Sequence, residues 1–302
     1  PRCSMKSEFP EYACPYAQRL AAKSKRFARQ VYDGLSSRGI RPSNHQTGER
    51  FSEDPFGELT HASKCWGLKQ RFPDRVLVMT ADTCFMNCRH CTRRGLLGKA
   101  QVVRTDDQLA ACVAYVKAHP KVRDVLLSGG DILTLSDAQV LKFVDAFAAL
   151  PQVELVRVCT RAVCTNPGRV TPKLAKALGR SKKVWVNTQF NCADELTDEA
   201  RRAAALLVDA GVPVSCQTVL LRGVNDSSAE MLRLLRALSA ARIRPYYVFQ
   251  CDPVAGIDRF RVPHEKARAI ELACAERIGG LALPRFVADL PGAKRKTPLA
   301  EL

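Results

Sequence analysis

Three cysteines lie within eight residues in the segment CFMNCRHC, residues 84–91, with the spacing C-x3-C-x2-C. Thiolates this close together can bind a metal or take part in redox chemistry. A structural zinc site needs four ligands, and His90 is too near Cys91 to turn easily toward the same ion. A redox pair would leave Cys84 unexplained. An iron–sulfur cluster held by Cys84, Cys88 and Cys91, with one iron open to a non-protein ligand, fits best, although the other two interpretations stay open.

Short apolar runs alternate with amphipathic stretches after residue 70, which indicates a parallel sheet covered by helices. Six strands are predicted at residues 75–80, 124–129, 155–160, 184–190, 212–221 and 245–250. Polar, glycine-rich or cysteine-bearing segments follow most of these strands. Chemistry at the carboxyl ends of parallel strands is typical of a TIM-type barrel, and six strands instead of eight predict a partial (β/α)6 barrel.

Composition sets limits on the class of protein. The chain has 302 residues, of which 46% are hydrophobic, and it carries no apolar run long enough for a transmembrane helix. Its first residues lack the apolar stretch of a signal peptide, so we expect a cytoplasmic protein without a membrane partner. The thirteen cysteines are an odd number in a long chain, which argues against a disulfide framework. The net charge of +17 is spread along the chain without a base-reading motif, so a nucleic-acid partner is disfavoured.

Seven segments from residue 71 onward form a more specific pattern. They are RFPDRVLVMTADTCFMNCRHCTRR, DVLLSGGD, NTQFN, QTVLLRGVND, RPYYVFQCD, FRVP and PGAKRKTP. The cysteine spacing resembles that of radical S-adenosylmethionine (SAM) enzymes, and the seven segments in this order resemble the lysine 2,3-aminomutase family. The resemblance implies a [4Fe-4S] cluster on the three cysteines, SAM, and pyridoxal 5′-phosphate (PLP). It also implies an isomerase that moves the α-amino group of lysine from C2 to C3 to give β-lysine.

The resemblance implies cofactor contacts elsewhere in the chain. The loop SGGD (Ser128, Gly129, Gly130 and Asp131) is expected to contact the SAM amino group, and its glycines allow close approach of the backbone. Gln217 is expected near the SAM ribose, and Arg161 is a further candidate for the same cofactor. The residues implied for PLP lie at the two ends of the matched region. Arg71 and Arg75, at its start, would bind the phosphate, and Lys296, at its end, would form the Schiff base.

Substrate recognition is implied at three positions. Arg93 matches the arginine that pairs with the substrate carboxylate, while Asp252 and Asp289 match two aspartates that hold the distal ammonium of lysine. In glutamate-specific relatives these two positions are not both acidic, so the pair favours a cationic side chain. Ornithine or arginine is the alternative substrate. A radical SAM enzyme that modifies RNA and an iron–sulfur or zinc protein without enzymatic activity are the alternative functions.

The sequence departs from the family pattern in several places. Gln189 and Cys192 stand where histidines are usual, and Phe72 and Phe249 stand where tyrosines are frequent. The chain ends six residues after Lys296, and in this shortness it is similar to the mutases that supply β-lysine for elongation factor P.

We expect an electron donor such as flavodoxin or ferredoxin, and a homo-oligomer is possible. The predicted division of the chain is an N-terminal helical and irregular extension (1–70), the barrel (71–262), and a C-terminal helix with the PLP-lysine segment (263–302).

Overall fold

The structure, a computed structural model, describes residues 9–36, 52, 54–57, 65–95 and 101–302. Ten α-helices occur in these residues: α1 (Pro15–Lys23), α2 (Lys25–Val31), α3 (Asp33–Ser36), α4 (Asp106–Ala118), α5 (Asp137–Ala148), α6 (Ala162–Thr165), α7 (Pro172–Leu178), α8 (Asp198–Asp209), α9 (Ser228–Ala240) and α10 (His264–Ala275). Short 3₁₀ helices lie at Ile132–Thr134, Pro167–Arg169, Ala193–Glu195, Asp258–Phe260 and Leu299–Glu301.

Nine strands form a single sheet in the described residues. They are β1 (Leu68–Phe72), β2 (Arg75–Ala81), β3 (Asp124–Gly129), β4 (Leu155–Cys159), β5 (Val184–Gln189), β6 (Val214–Leu220), β7 (Arg244–Gln250), β8 (Arg285–Ala288) and β9 (Thr297–Pro298). Strands pair in sequence order, and β2 to β8 are all parallel. The first and last strands are antiparallel to their neighbours, and they do not pair with each other.

This architecture confirms the predicted partial barrel, because β2 to β7 are the six strands expected from the sequence. Strands β1, β8 and β9 were missed. They are short and lie toward the two edges of the sheet, so they lack the long apolar pattern of a strand buried on both faces. The predicted division into three segments stays a prediction. Strand β1 spans its first boundary, and β8 and β9 extend the same sheet.

Two hydrophobic clusters stabilise the fold. The larger lies between the sheet and its covering helices and contains Leu127 and Phe147, both fully buried. The smaller cluster packs the N-terminal helices against the loop after β2, through Phe27, Val31 and Met86. The N-terminal helices are therefore anchored by burial on the part of the barrel that carries the three cysteines. Across the described residues, none of the helices combines the length and apolarity needed to span a bilayer.

Candidate active site

The cysteine loop follows β2 and is held by the N-terminal segment. Three backbone hydrogen bonds, each 2.8 Å, join the two: Cys14 N–H to Phe85 O, Asn87 N–H to Tyr12 O, and Arg89 N–H to Gln30 O. The three thiols on this loop are half-buried and free. Because the backbone is pinned between the cysteines, the N-terminal segment positions the loop that presents them.

Arg89, between the second and third cysteines, is fully buried. Its guanidinium forms an ion pair with Asp33 and donates to the carbonyl oxygens of Phe9 at 3.0 Å and Pro10 at 3.2 Å. A buried cation requires such partners, since desolvation of an unpaired charge is costly. Sequence analysis missed this residue, because one arginine in a charged loop carries no signal of burial.

The SGGD loop at the end of β3 packs on the strand and loop that lead to the cysteines. Gly130 N–H donates to Ala81 O at 2.6 Å, and a Cβ at Gly130 would lie 2.3 Å from Thr83 O. Gly129 adopts a φ of 111°, and Ser128 accepts at its backbone oxygen from Thr80 Oγ1 at 2.9 Å. The two glycines thus allow close contact with residues 81–83. Contact of this loop with SAM stays a prediction.

Asp131 joins the ends of two strands. Its buried carboxylate accepts from Thr160 Oγ1 at 2.6 Å, from Arg161 N–H at 2.8 Å and from Leu133 N–H at 3.0 Å. Burial raises the pKa of Asp131, and these donors oppose the increase. The side chain of Arg161 then extends to the cysteine loop, where its Nη1 lies 2.9 Å from Cys88 Sγ.

Gln189 ends β5, and it pairs with Gln217 in the middle of the neighbouring strand β6. Gln217 Oε1 accepts from Tyr246 Oη at 3.1 Å. Gln189 Nε2 lies 3.2 Å from His90 Nε2, next to the third cysteine. Burial lowers the pKa of His90 well below its usual value, and the charge of Arg161 adds to the effect, so the ring is neutral.

A second group of predicted residues surrounds Lys296, which immediately precedes β9. Lys296 Nζ donates to Asp289 Oδ2 and lies 5.5 Å and 5.4 Å from the ring centres of Phe72 and Phe249. Burial lowers the pKa of Lys296, although Asp289 opposes the decrease. The two phenylalanines that depart from the family pattern therefore form the apolar wall of this amine.

Arg71 and Arg75 flank the ring of Phe72, with their guanidinium carbons 5.2 Å and 4.6 Å from its centre. Arg71 Nη2 donates to Leu290 O at 2.7 Å, and its Nη1 lies 2.8 Å from Asp289 Oδ1, an ion pair outside hydrogen-bond geometry. Arg75 is more exposed and pairs with Asp74. Two guanidinium groups on one ring form a small cationic surface next to Lys296.

Asp252 and Asp289 line one cavity of about 270 Å³. Asp252 is half-buried, and its Oδ1 atom is buried without a hydrogen-bond partner in the described part of the chain. Burial raises the pKa of Asp252 to about 7; the charge of Asp289 adds to this increase, and Lys296 opposes it. A buried carboxyl oxygen without a donor indicates a ligand position, because native buried polar atoms are rarely left unpaired.

Arg93 lies on the cysteine loop, half-buried, two residues after Cys91. Its charge favours the thiolate forms of Cys91 and Cys159, which places the guanidinium near both thiols. The structure therefore brings the predicted residues into two groups, one around the cysteine loop and one around Lys296. Pairing of Arg93 with a substrate carboxylate stays a prediction.

Comparison with known proteins assigns the chain to a family. The pattern of the Radical SAM superfamily matches residues 78–235, slightly more than half of the chain. An L-lysine 2,3-aminomutase of Fusobacterium nucleatum is 44% identical over 233 residues, covering 77% of this chain and 55% of that protein. A putative L-lysine 2,3-aminomutase of Treponema pallidum is 35% identical over 293 residues, covering 97% of this chain and 80% of that protein. This chain belongs to the lysine 2,3-aminomutase family of radical SAM proteins.

The fold agrees with this assignment. The crystal structure of Streptococcus suis SuiB bound to S-adenosylmethionine has a TM-score of 0.55 at 15% identity, covering 72% of this chain and 51% of that one. At this identity the likeness concerns the fold alone. The chain spans a little over half the length of the Fusobacterium relative.

Radical SAM proteins use a [4Fe-4S] cluster and SAM, and lysine 2,3-aminomutases also use PLP, so these are the cofactors of the family to which the chain belongs.

The cysteine loop fits the cluster of this family. Burial raises the pKa of Cys91 to about 11, and the neighbouring Cys88 contributes to the increase. Crowded thiols of this kind need a positive centre to become thiolates, and iron supplies one. Three half-buried thiols on one loop are the donor set that the cluster of this family takes.

The surroundings of Lys296 fit PLP. A half-buried amine with a lowered pKa can lose its proton and react with an aldehyde, and two nearby arginines suit a phosphate. Gln30 and Glu195 lie beside the cysteine loop and were missed by the sequence analysis. Both contact Arg161 across long separations in the chain, so their proximity to the site depends on the fold.

Proposed function

We propose that the protein is an isomerase that moves the α-amino group of L-lysine from C2 to C3 and produces β-lysine. The observation that carries this proposal is the pair of half-buried carboxylates, Asp252 and Asp289, which line one cavity next to Lys296. Two acidic side chains this close repel each other, and a bound cation relieves the repulsion. A substrate with a distal ammonium supplies that cation.

When bound, SAM with the cluster supplies a hydrogen-abstracting group and PLP holds the migrating nitrogen. The residues of the chain bind and orient around them. We assign Cys84, Cys88 and Cys91 to the cluster, and the SGGD loop (128–131) and Gln217 to SAM. Lys296, Arg71 and Arg75 are assigned to PLP, and Arg93 to the substrate carboxylate.

In the free protein Asp289 holds the ammonium of Lys296. If Lys296 were bound to PLP, its nitrogen would no longer be a free primary ammonium, and Asp289 would be available for the substrate ammonium. The contact supports the view that this carboxylate accepts a primary ammonium on an alkyl chain, since the Lys296 side chain has the same chemical group as the substrate.

Ornithine and arginine are the second candidates, because two carboxylates recognise a cation without measuring its distance from the α-carbon.

We also propose a flavodoxin or ferredoxin as electron donor, since the cluster needs a one-electron reductant. A cytoplasmic location is supported by the free thiols of all twelve described cysteines, which suit a reducing compartment. A homo-oligomer stays a prediction.

The test is a substrate panel with the anaerobically reconstituted protein. L-lysine should be converted to β-lysine, whereas norleucine, which has a similar length and no ammonium, should be a poor substrate. Equal turnover of lysine and norleucine would show that the aspartates do not recognise charge. Preferential conversion of ornithine or arginine would show that this amino acid, and not lysine, is the substrate.

The Asp289→Asn variant tests the carboxylate itself. Loss of one partner from a buried charge pair costs roughly 2–5 kcal/mol, or about 30-fold to several-thousand-fold in kcat/KM for lysine. The iron content and the PLP absorbance should match those of the wild type. If the variant lost PLP together with activity, Asp289 would only hold Lys296 in place.

A further inference from the structure

Arg161 is the centre of a buried network beside the cysteine loop. Its Nη1 lies 2.9 Å from Cys88 Sγ, and its Nη2 donates to Gln30 Oε1 at 2.6 Å and to Glu195 Oε2 at 3.1 Å. Its Nε lies 3.4 Å from Gln189 O. Each nitrogen of the guanidinium therefore has an acceptor within the protein. Contact of Arg161 with SAM stays a prediction.

The partners of Arg161 are themselves fixed. Glu195 is fully buried, and its Oε1 accepts from Gln30 Nε2 at 2.7 Å. Gln30 Oε1 also accepts from Asn191 Nδ2 at 2.9 Å, so the amide has one orientation. The Arg161 guanidinium forms an ion pair with the Glu195 carboxylate, and an arginine side chain keeps its proton in proteins, so the group is a permanent cation.

We propose that Arg161 is a positioning residue for the iron–sulfur cluster, which donates an N–H···S hydrogen bond to the Cys88 sulfur and raises the reduction potential of the cluster. Gln30 from α2 and Glu195 hold the guanidinium on the sulfur. The inference rests on the proposed function in one respect, because it requires a [4Fe-4S] cluster on the three cysteines.

The physical reason is electrostatic. Reduction adds one negative charge to the cluster, and a nearby cation that donates a hydrogen bond to a ligand sulfur stabilises the reduced form more than the oxidised form. The effect is strong where water is excluded, because the local dielectric constant is low. Only 10% of the Arg161 side chain is exposed. The groups that orient a metal ligand commonly tune the metal in this way.

The test measures the midpoint potential of the cluster by a redox titration monitored by electron paramagnetic resonance, with the anaerobically reconstituted full chain. Arg161→Gln removes the cation, and a double variant, Arg161→Gln with Glu195→Gln, removes it without leaving a buried unpaired carboxylate. Arg157→Gln is the matched control. Arg157 lies on β4, is largely buried and pairs with Asp124, as Arg161 pairs with Glu195.

We expect both Arg161 variants to have a lower midpoint potential than the wild type, and Arg157→Gln to have the wild-type value. Arg161→Lys keeps the charge without the planar fork of donors, so its midpoint potential should lie between that of Arg161→Gln and that of the wild type. Wild-type potentials in both Arg161 variants, at equal iron content, would overturn the inference and leave the proposed function intact. A wild-type chain that takes up no iron under the same conditions would overturn the proposed function itself.

Discussion

At the scale of single residues, the site depends on charges that are buried next to one another. Asp289 forms ion pairs with both Lys296 and Arg71, and its charge raises the pKa of the neighbouring Asp252. Charges that are removed from water in this way are stable only when neighbouring charges of opposite sign offset them. A change in protonation or in bound cation should therefore alter the whole group.

The raised pKa of Asp252 predicts a pH-dependent affinity for lysine. With a pKa of about 7, Asp252 is protonated in the free protein below that pH and ionised above it. A cationic substrate needs the ionised form, so kcat/KM for lysine should rise as the pH increases through about 7. Asp252→Asn should remove this dependence. An unchanged pH profile in the variant would assign the ionisation to another group.

The same carboxyl also affects stability. An unfolded aspartate has a pKa of about 3.9, so between about pH 4 and pH 7 the folded chain binds a proton at Asp252 that the unfolded chain does not. The contribution of this group to the free energy of unfolding therefore decreases as the pH rises through that range. The site keeps an ionisable group that burial disfavours, as expected where function requires the charge.

At the scale of secondary structure elements, the end of β3 determines where the cysteine loop begins. Gly129 and Gly130 contact residues 81–83, and Asp131 joins β3 to the end of β4. The position of the first cysteine is thus set by the packing of two strand ends. The glycines serve this contact whatever ligand also approaches them.

Gly130→Ala should displace the cysteine loop. The new Cβ would lie 2.3 Å from Thr83 O, which is backbone and cannot move alone, and overpacking of this kind costs about 1–3 kcal/mol. We expect fewer iron atoms per chain after reconstitution, measured by iron analysis. The control is Gly168→Ala, where a Cβ would meet no atom within 4 Å. Equal iron content in both variants would contradict this role of Gly130.

At the scale of the whole molecule, the N-terminal segment is part of the site. It contributes Gln30 to the Arg161 network, Asp33 to the ion pair with Arg89, and backbone partners to the cysteine loop. Residues 9–36 and the barrel are therefore joined by both apolar packing and buried charge. We expect the stability of the barrel and that of the cysteine loop to depend on these helices.

Asp33→Asn should destabilise the protein by about 1–3 kcal/mol, because it weakens a hydrogen-bonded ion pair to the fully buried Arg89. The free energy of unfolding in urea measures this change. Asp209→Asn is the control, since its pair with Arg242 is exposed to solvent and its removal should leave the free energy of unfolding nearly unchanged. Similar losses of stability in the two variants would show that the Asp33–Arg89 pair contributes no more than an exposed pair.

The sequence by itself determined the six central strands, because each is a run of apolar residues whose burial follows from the chain within a few positions. Its motifs also identified the cysteine loop and Lys296, whose residue types carry specific chemistry. Only the tertiary structure decided which partners these groups have. Arg161 meets the side chain of Gln30 across 131 positions, whereas Lys183 donates to the backbone oxygens of Ala148 and Leu150, although both are basic residues next to strands. Contacts of that separation depend on the packing of complete elements, and no local spacing encodes them.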